Sequence, residues 1–153
     1  EVIEIGVPAE HVTTIDHNME LPTKEFNPER EFKGQKFVHN KADNSTWSDF
    51  RIPGFKCRDT TIADNTKNVA GVQVVRPNGS TTKPSKHDCD ILFNFVMEGK
   101  MTLTASGQPS NELTSGDAFV IPPDLSTEYS NLSKDLELLE VSLPGKFKTY
   151  YDA

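Results

Sequence analysis

The stretch that decides the fold is NGSTTKPSKHDCDILFNFVMEGK, residues 78–100. It begins at a turn marked by Gly79, passes one histidine, His87, and ends at a second turn marked by Gly99. Between His87 and Gly99 lies the apolar run ILFNFVM, whose length and turn-bounded setting are typical of a β-strand. The stretch resembles the beginning of a metal-binding strand pair, yet it holds a single imidazole.

Alternation along ILFNFVM predicts which side chains face the interior of the protein. Successive side chains of a strand point to opposite faces. Leu92, Asn94 and Val96 therefore share one face, and the two phenylalanines and Met97 share the other. Because both faces are mostly apolar, we expect a barrel interior on one side and a packed neighbour on the other. Asn94 then becomes a buried amide that needs hydrogen-bond partners, which makes it a candidate to contact a ligand.

Short β-rich runs follow one another from Trp47 onward, and clusters of Gly, Pro, Asn and Ser separate them. No stretch shows convincing helical periodicity, so the pattern predicts an all-β sandwich or barrel. The runs are FKCRDTTIA, VAGVQVV, ILFNFVM, KMTLTA, DAFVIPP and LELLEVSL.

The spacing of the turn residues resembles the two sequence motifs of the cupin superfamily. The first motif reads glycine, five residues, HxH, three or four residues, glutamate, six residues, glycine. The second reads glycine, five residues, PxG, two residues, histidine, three residues, asparagine. Asp124 stands where the second motif has its inner glycine. The positions that match are Gly79, His87, Gly99, Gly116, Pro122 and Asn131.

The resemblance covers roughly residues 46–148, and over this range the sequence is similar to small single-domain RmlC-like cupins. It implies an all-β fold, a cupin-type double-stranded β-helix or jelly-roll barrel. Residues 1–45 are then an N-terminal arm or linker, broken by prolines, and residues 149–153 a C-terminal tail.

In cupins two histidines, a glutamate and a third histidine hold a metal ion, and the resemblance shows which residues stand at those positions here. They are Ser85, His87, Leu92 and Thr127. A neutral hydroxyl is a poor ligand for a transition metal and leucine is none. We therefore expect no metal site and no cofactor; if a metal is bound at all, His87 is its ligand.

A shifted register offers an alternative metal site. His87-x-Cys89-x4-Asn94 mimics the HxH and glutamate spacing, although it breaks both glycine spacings. A last ligand would have to come from Glu128 or from a histidine of the arm. The arm histidines are His11, His17 and His39.

Seven residues are candidates to line a ligand site inside the barrel. His87 has two interpretations that stay open, an isolated base or hydrogen-bond donor to a ligand, and a structural remnant. Arg58 could receive a carboxylate through its bidentate fork. The full set is Arg58, Ser85, His87, Leu92, Asn94, Thr127 and Tyr129.

Composition excludes some classes of function. The net charge of −7 argues against nucleic-acid binding, which needs a concentrated basic surface. No apolar run approaches the roughly 20 residues that span a bilayer, and no secretion leader is recognisable. Two cysteines are too few for a disulfide framework. We expect a cytoplasmic protein with no nucleic-acid or membrane partner.

The sequence predicts a metal-free cupin barrel that binds a small molecule as a sensor, carrier or accessory domain. Two alternatives remain open. One is a cupin-type metalloenzyme, such as a dioxygenase, isomerase or lyase, with an unusual ligand set. The other is a structural dimerisation domain of a longer chain. The resemblance also implies a homodimer, because small cupins commonly pack sheet against sheet.

Overall fold

The computed structural model describes residues 2–6, 9–10, 25, 27–79 and 82–152, and nearly all regular structure in them is β. One α-helical turn, α1, spans Ile62–Asn65, and one 3-10 turn spans Ala42–Asn44. Within these described residues no helix is long and apolar enough to cross a membrane. The strands are β1 (Glu31–Phe32), β2 (Gln35–Lys36), β3 (Trp47–Asp49), β4 (Phe55–Asp59), β5 (Gly71–Pro77), β6 (Ser85–His87), β7 (Ile91–Glu98), β8 (Lys100–Ala105), β9 (Asn111–Thr114), β10 (Ala118–Ile121), β11 (Thr127–Ser130), β12 (Glu137–Leu143) and β13 (Thr149–Tyr151).

Two antiparallel sheets form the body of the protein. The larger has the strand order β10-β7-β12-β5-β4-β3, and the smaller has the order β13-β6-β11-β8-β9. Consecutive strands along the chain repeatedly fall into different sheets, which is the arrangement of a jelly roll. The expected all-β cupin-type fold is confirmed.

The core lies between the inner faces of the two sheets. β7 shows why the sequence folds this way, since its buried side chains alternate with half-buried ones along the strand. The same alternation continues on β11 and in the first half of β12, whose residues 140–142 are all buried. The buried core residues are Phe50, Ile52, Phe55, Cys57, Val75, Cys89, Leu92, Val96, Met101, Ile121, Tyr129, Leu136 and Leu138.

Two turn residues of the cupin-like motifs fix the ends of the site strands. Gly99 has a φ of 77°, and a Cβ there would lie 2.7 Å from the backbone of Leu136, so only glycine fits. Asp124, at the motif's glycine position, also adopts the left-handed conformation, with a φ of 63°. Aspartate tolerates this conformation better than most residues. Its N–H donates to the His87 carbonyl at 2.9 Å and so joins the two motifs.

The chain outside the predicted barrel also contains regular structure. In the predicted arm, β1 and β2 form a hairpin that pairs with neither of the large sheets. In the predicted tail, β13 pairs with β6, and Thr149 lies opposite His87. The C-terminal strand therefore covers the strand that carries the only histidine of the motif.

Candidate functional site

Six of the seven predicted site residues lie on the inner faces of the sheets. β7 contributes two of them, and β6 and β11, which pair through Ser85 and Thr127, contribute the other four. Each is at most 6% exposed: Ser85, His87, Leu92, Asn94, Thr127 and Tyr129. Strand alternation predicted this facing for Leu92 and Asn94, whereas the sequence did not determine the facing of Tyr129.

A rung of three polar side chains crosses the larger sheet at the level of Asn94. Asn94 on β7 lies opposite Glu140 on β12, and Glu140 lies opposite Gln73 on β5. Asn94 is 1% exposed, and neither its Nδ2 nor its Oδ1 has a hydrogen-bond partner among the described residues. A buried amide with both groups unpaired is costly, and it marks the position where a bound molecule can hydrogen-bond.

Glu140 is held by an arginine from the loop between β3 and β4. The Arg51 Nε donates to Glu140 Oε1 at 3.1 Å, and its Nη2 donates to Glu140 Oε2 at 2.6 Å. The guanidinium lies over the rings of Phe50 and Phe147, 5.0 and 5.2 Å from their centroids. Although burial alone lowers its pKa, the Glu140 carboxylate raises the pKa of Arg51 overall, so the guanidinium stays charged.

Tyr129 reaches into the same region from β11 in the opposite sheet. Its ring makes edge contacts with Phe55 and Phe119, at centroid distances of 5.9 and 6.3 Å. Burial raises the pKa of its hydroxyl, and the nearby Glu140 carboxylate raises it further. Arg51 is near enough to lower that pKa in part, yet the hydroxyl has no hydrogen bond of ordinary geometry within the described part of the chain. Tyr129 therefore offers a protonated, unpartnered hydroxyl.

His87 and Cys89 form a neutral pair. Since the Ile121 carbonyl 3.1 Å from Nε2 can only accept, Nε2 carries the proton. Nδ1 then accepts from the Cys89 thiol, whose sulfur is 3.0 Å away. Burial lowers the pKa of His87 and raises the pKa of Cys89 to about 11. Both ring nitrogens are thus occupied by the protein itself.

Arg58, the seventh predicted residue, does not join this group. It alternates with the buried Phe55 and Cys57 on β4, and it pairs in register with Val74, so it lies on the outer face of the sheet. Arg58 therefore does not face the barrel interior, where it was predicted to receive a carboxylate. The guanidinium in the interior belongs to Arg51 instead.

The sequence contains a weak indication that Arg51 and Glu140 are buried. Each is a charge set among apolar residues, in FRI and in LLEVSL. Charged residues are rarely buried without a partner, so two opposite charges in such settings indicate a buried pair. The 89 positions between them explain why no motif spacing reveals it.

The donor set does not fit a resident metal ion. Leu92 packs in the core, and Thr127 Oγ1 donates to the Ser85 carbonyl at 3.5 Å. Within the described ranges no group of three or more His, Cys, Asp and Glu side chains could hold a metal. Of the ligands considered for the shifted register, Glu128 alternates with the buried Thr127 and faces outward, and His39 is exposed. His11 and His17 lie outside the described residues.

Two cavities border this region. One, of about 240 Å³, is lined by Glu140, Gln73, Ser142 and Phe147 among others, and so gives access to two of the three residues of the rung. A larger one, of about 520 Å³, lies near the β5–β6 and β11–β12 connections and touches the site only through Tyr129.

Comparison with known proteins agrees with this architecture. Residues 71–142 match the family described as the cupin domain. No curated protein sequence matches the chain. This match spans 72 of the 153 residues and, with the strand order, supports the resemblance to the cupin superfamily.

Solved structures with a similar fold include three enzymes or enzyme-related proteins. KdgF from Halomonas sp. aligns with a TM-score of 0.58 at 18% identity, over 70% of this chain and 94% of its own. The polyketide cyclase RemF from Streptomyces resistomycificus aligns with a TM-score of 0.59 at 19% identity, over 78% and 86%. A variant of Streptomyces PAC13, a nucleoside dehydratase, was solved with uridine; it aligns with a TM-score of 0.60 at 12% identity, over 75% and 90%. At these identities the similarity shows the fold alone.

Proposed function

We propose that the barrel binds a small polar organic molecule, without a metal ion, as a sensor, carrier or accessory domain. The observation that carries this proposal is the Asn94 amide, buried and unpaired on the inner face of β7. Leaving one buried polar group unsatisfied costs about 1–3 kcal/mol, and Asn94 has two such groups. A ligand that bonds to both groups removes that cost and gains affinity from it.

The surrounding residues support the same proposal. Tyr129 adds a second unpartnered group, and aromatic rings at Phe55, Phe119 and Phe147 supply apolar walls. Apolar walls with a few convergent polar groups are the usual composition of a small-molecule site. The cavity of about 240 Å³ is lined by Glu140, the cross-strand neighbour of Asn94, although Asn94 itself does not line it.

The metal-free part of the proposal rests on His87. Its two ring nitrogens are bound to the Ile121 carbonyl and to the Cys89 thiol, so a metal would have to break a buried hydrogen bond to gain one ligand. The same contacts argue against His87 as a free base. The sequence left two roles open for His87, a ligand-contacting group and a structural remnant. We therefore propose the structural role.

An enzyme of the cupin type is the second candidate. Two of the proteins with a similar fold are enzymes: RemF is a polyketide cyclase and PAC13 is a nucleoside dehydratase. The specific observation in favour is the protonated Tyr129 hydroxyl beside Arg51, which could hydrogen-bond to a developing negative charge on a substrate. Turnover of a ligand found in the binding experiment below would select this candidate.

A thermal-shift screen with a library of small organic molecules tests the proposal. We expect at least one compound to stabilise the wild type by RT ln(1 + [L]/Kd), about 2.7 kcal/mol at a hundredfold excess over Kd. The shift should vanish in Asn94→Leu and persist in Asn111→Leu, a matched change on the exposed start of β9. A shift that survives Asn94→Leu would place the ligand elsewhere. A library with no stabilising compound would favour the purely structural domain.

We further propose that the protein forms a homodimer in which the outer face of the larger sheet packs against a second copy of the chain. Two cross-strand rows on this face consist of apolar side chains, and Val120 remains 58% exposed. The two rows carry no charged side chain, so two copies of a chain with a net charge of −7 can meet along them without like-charge repulsion. The rows are Val120, Phe93, Val141 and Val72, and Ala118, Phe95, Leu139 and Val74.

A further inference from the structure

We infer that the molecule bound beside Asn94 is uncharged and carries an amide or a similar planar group with a donor next to an acceptor. This inference rests on the proposed function and names the ligand class that the barrel interior selects. It follows from the charge balance of the site and from the shape of the Asn94 amide, whose donor and acceptor are both unpaired among the described residues.

The buried polar groups of the site balance to neutrality before any ligand enters. Arg51 and Glu140 cancel each other through two hydrogen bonds, with side chains 17% and 4% exposed. His87 and Cys89, joined by a hydrogen bond, are kept neutral by burial, which lowers the pKa of His87 and raises the pKa of Cys89. Asn94 has no charge, and Tyr129 keeps its proton because burial opposes ionisation.

The remaining charges near the entrance do not disturb this balance. Asp59 is exposed and accepts from the Thr61 N–H and from Gln73 Nε2, at 2.5 and 3.2 Å. Asp64 and Lys146 form an exposed ion pair at 2.7 Å. Water screens both features, so they act weakly on a molecule inside the barrel.

A charged ligand would therefore lie in the interior without a counterion. An acid cannot use Arg51 freely, because Glu140 already occupies the Nε and Nη2 side of the guanidinium. An amine cannot use Glu140 freely, because Arg51 bonds to both carboxylate oxygens. Burying an ion without compensation is strongly unfavourable, whereas a neutral molecule loses only its hydrogen bonds to water.

The geometry of Asn94 specifies the group that replaces those hydrogen bonds. Its side chain presents one NH₂ donor and one carbonyl acceptor in a single plane, and both are unpaired among the described residues. A planar amide presents the complementary acceptor and donor and can form two parallel hydrogen bonds. A ring attached to that amide would meet the aromatic side chains around Tyr129.

Three isosteric probes test the inference directly on the wild-type protein: benzamide, benzoate and the benzamidinium ion. They share one ring and one planar substituent and differ in charge. We expect benzamide to bind most tightly, with a Kd of about 1 mM, as a fragment of this size would. The two ions should bind at least tenfold more weakly, about 1.4 kcal/mol, by isothermal titration calorimetry or ligand-observed NMR. A tighter complex with either ion, or no binding of benzamide, would overturn the inference.

Charge-removal variants sharpen the test. Glu140→Gln leaves the guanidinium unpaired and should shift the preference to benzoate. Arg51→Gln leaves the carboxylate unpaired and should shift it to benzamidinium. The controls are Glu137→Gln, on the outer face of the same strand in an exposed pair with Arg76, and Arg58→Gln, on the outer face of β4. Both controls should keep the wild-type order; a control that shifts it would contradict the assignment. If an interior variant does not fold, the wild-type order still decides.

The outcomes separate this inference from the proposed function. If the library screen finds a charged ligand whose binding depends on Asn94, the barrel is a binding site and the neutral-ligand inference is wrong. If no probe and no library compound binds, the proposed function itself fails.

Discussion

Asn94 and Glu140 lie directly opposite each other on adjacent strands, yet the amide makes no hydrogen bond to the carboxylate. Arg51, by contrast, donates to both oxygens of Glu140. Asn94 lies beside this ion pair without a hydrogen-bond partner among the described residues. This relationship ties the stability of the protein to the chemistry of its site.

Replacing Asn94 by leucine should stabilise the ligand-free protein. Leucine has a similar size, already occupies the neighbouring inward position of β7 at Leu92, and removes two unpaired buried groups. We expect the free energy of unfolding in urea to rise by about 1–3 kcal/mol, while the thermal shift by a ligand is lost. A loss of stability of similar size would instead show that Asn94 serves the fold. Natural sites often sacrifice stability for binding in this way.

The Arg51–Glu140 pair should behave as a coupled unit. Removing one partner leaves a buried charge, so Arg51→Leu or Glu140→Leu alone should lower the free energy of unfolding by about 3 kcal/mol. The double variant Arg51→Leu/Glu140→Leu should recover most of that loss, because no unpaired charge remains. A double-mutant cycle by urea denaturation measures the coupling, for which we expect more than about 4 kcal/mol, because the double variant should lose far less than the roughly 6 kcal/mol of two independent losses. Additive losses would mean that the two side chains act independently. The exposed pair of Lys146 and Asp64, treated in the same way, should give a coupling below about 1 kcal/mol.

The sequence predicted the fold well because apolar alternation is a local signal. All six apolar runs became strands, and the inward facing of Leu92 and Asn94 followed from period two alone. β6, β9, β11 and β13 have polar sequences such as NELT and TEYS, and the run pattern did not single them out as strands. They are strands because neighbours pair with them, and pairing partners distant in the chain are invisible to local propensity.

The site was predictable only in part, for the same reason. Motif spacing located Ser85, His87 and Thr127, and the structure brings them onto facing strands. Arg51 comes from a loop with no motif. It contacts Glu140, 89 positions further along the chain, because β4, β5 and β12 lie side by side in one sheet. Arg58 was chosen for its chemistry without a register, and the pairing of β4 with β5 turns it outward.

Acid should destabilise the protein through His87. Burial lowers its pKa below the 6.5 of an ordinary histidine, so between the two values the unfolded chain binds a proton that the folded chain does not. The contribution of His87 to the free energy of unfolding should therefore be fully present above pH 6.5. It should fall as the pH drops below 6.5, by up to about 1.4 kcal/mol per pH unit. Urea denaturation between pH 7 and 5 measures this slope. His87→Gln should flatten it, and His39→Gln, at an exposed position, should not. An imidazole pKa for His87 above 6.5 by NMR would contradict the buried neutral pair.

Metal ions should neither be retained nor stabilise the fold. The imidazole is already bound on both sides, and the remaining cupin ligand positions hold Ser85, Leu92 and Thr127. Elemental analysis of protein purified without chelator should find no stoichiometric metal. Addition of Mn²⁺, Fe²⁺, Ni²⁺ or Zn²⁺ should leave Tm unchanged, since an ion that does not bind the native state cannot stabilise it. A stoichiometric ion that is lost in His87→Ala would show that the shifted ligand set, not the neutral pair, is the native arrangement.

The outer face of the larger sheet should hold two copies of the chain together. Val120 is 58% exposed at the β10 end of an apolar row, and a glutamate there would be buried without a partner in a sheet-to-sheet dimer that covers the row. We expect light scattering to give twice 17.0 kDa for the wild type and 17.0 kDa for Val120→Glu. The matched control is Val69→Glu, a 47% exposed valine in the turn before β5, which should remain dimeric. A monomeric wild type would contradict the proposal. So would a dimer that tolerates Val120→Glu, because a stable interface of the usual size, about 1,600 Å² in total, that covers the apolar row would bury this charge without a partner.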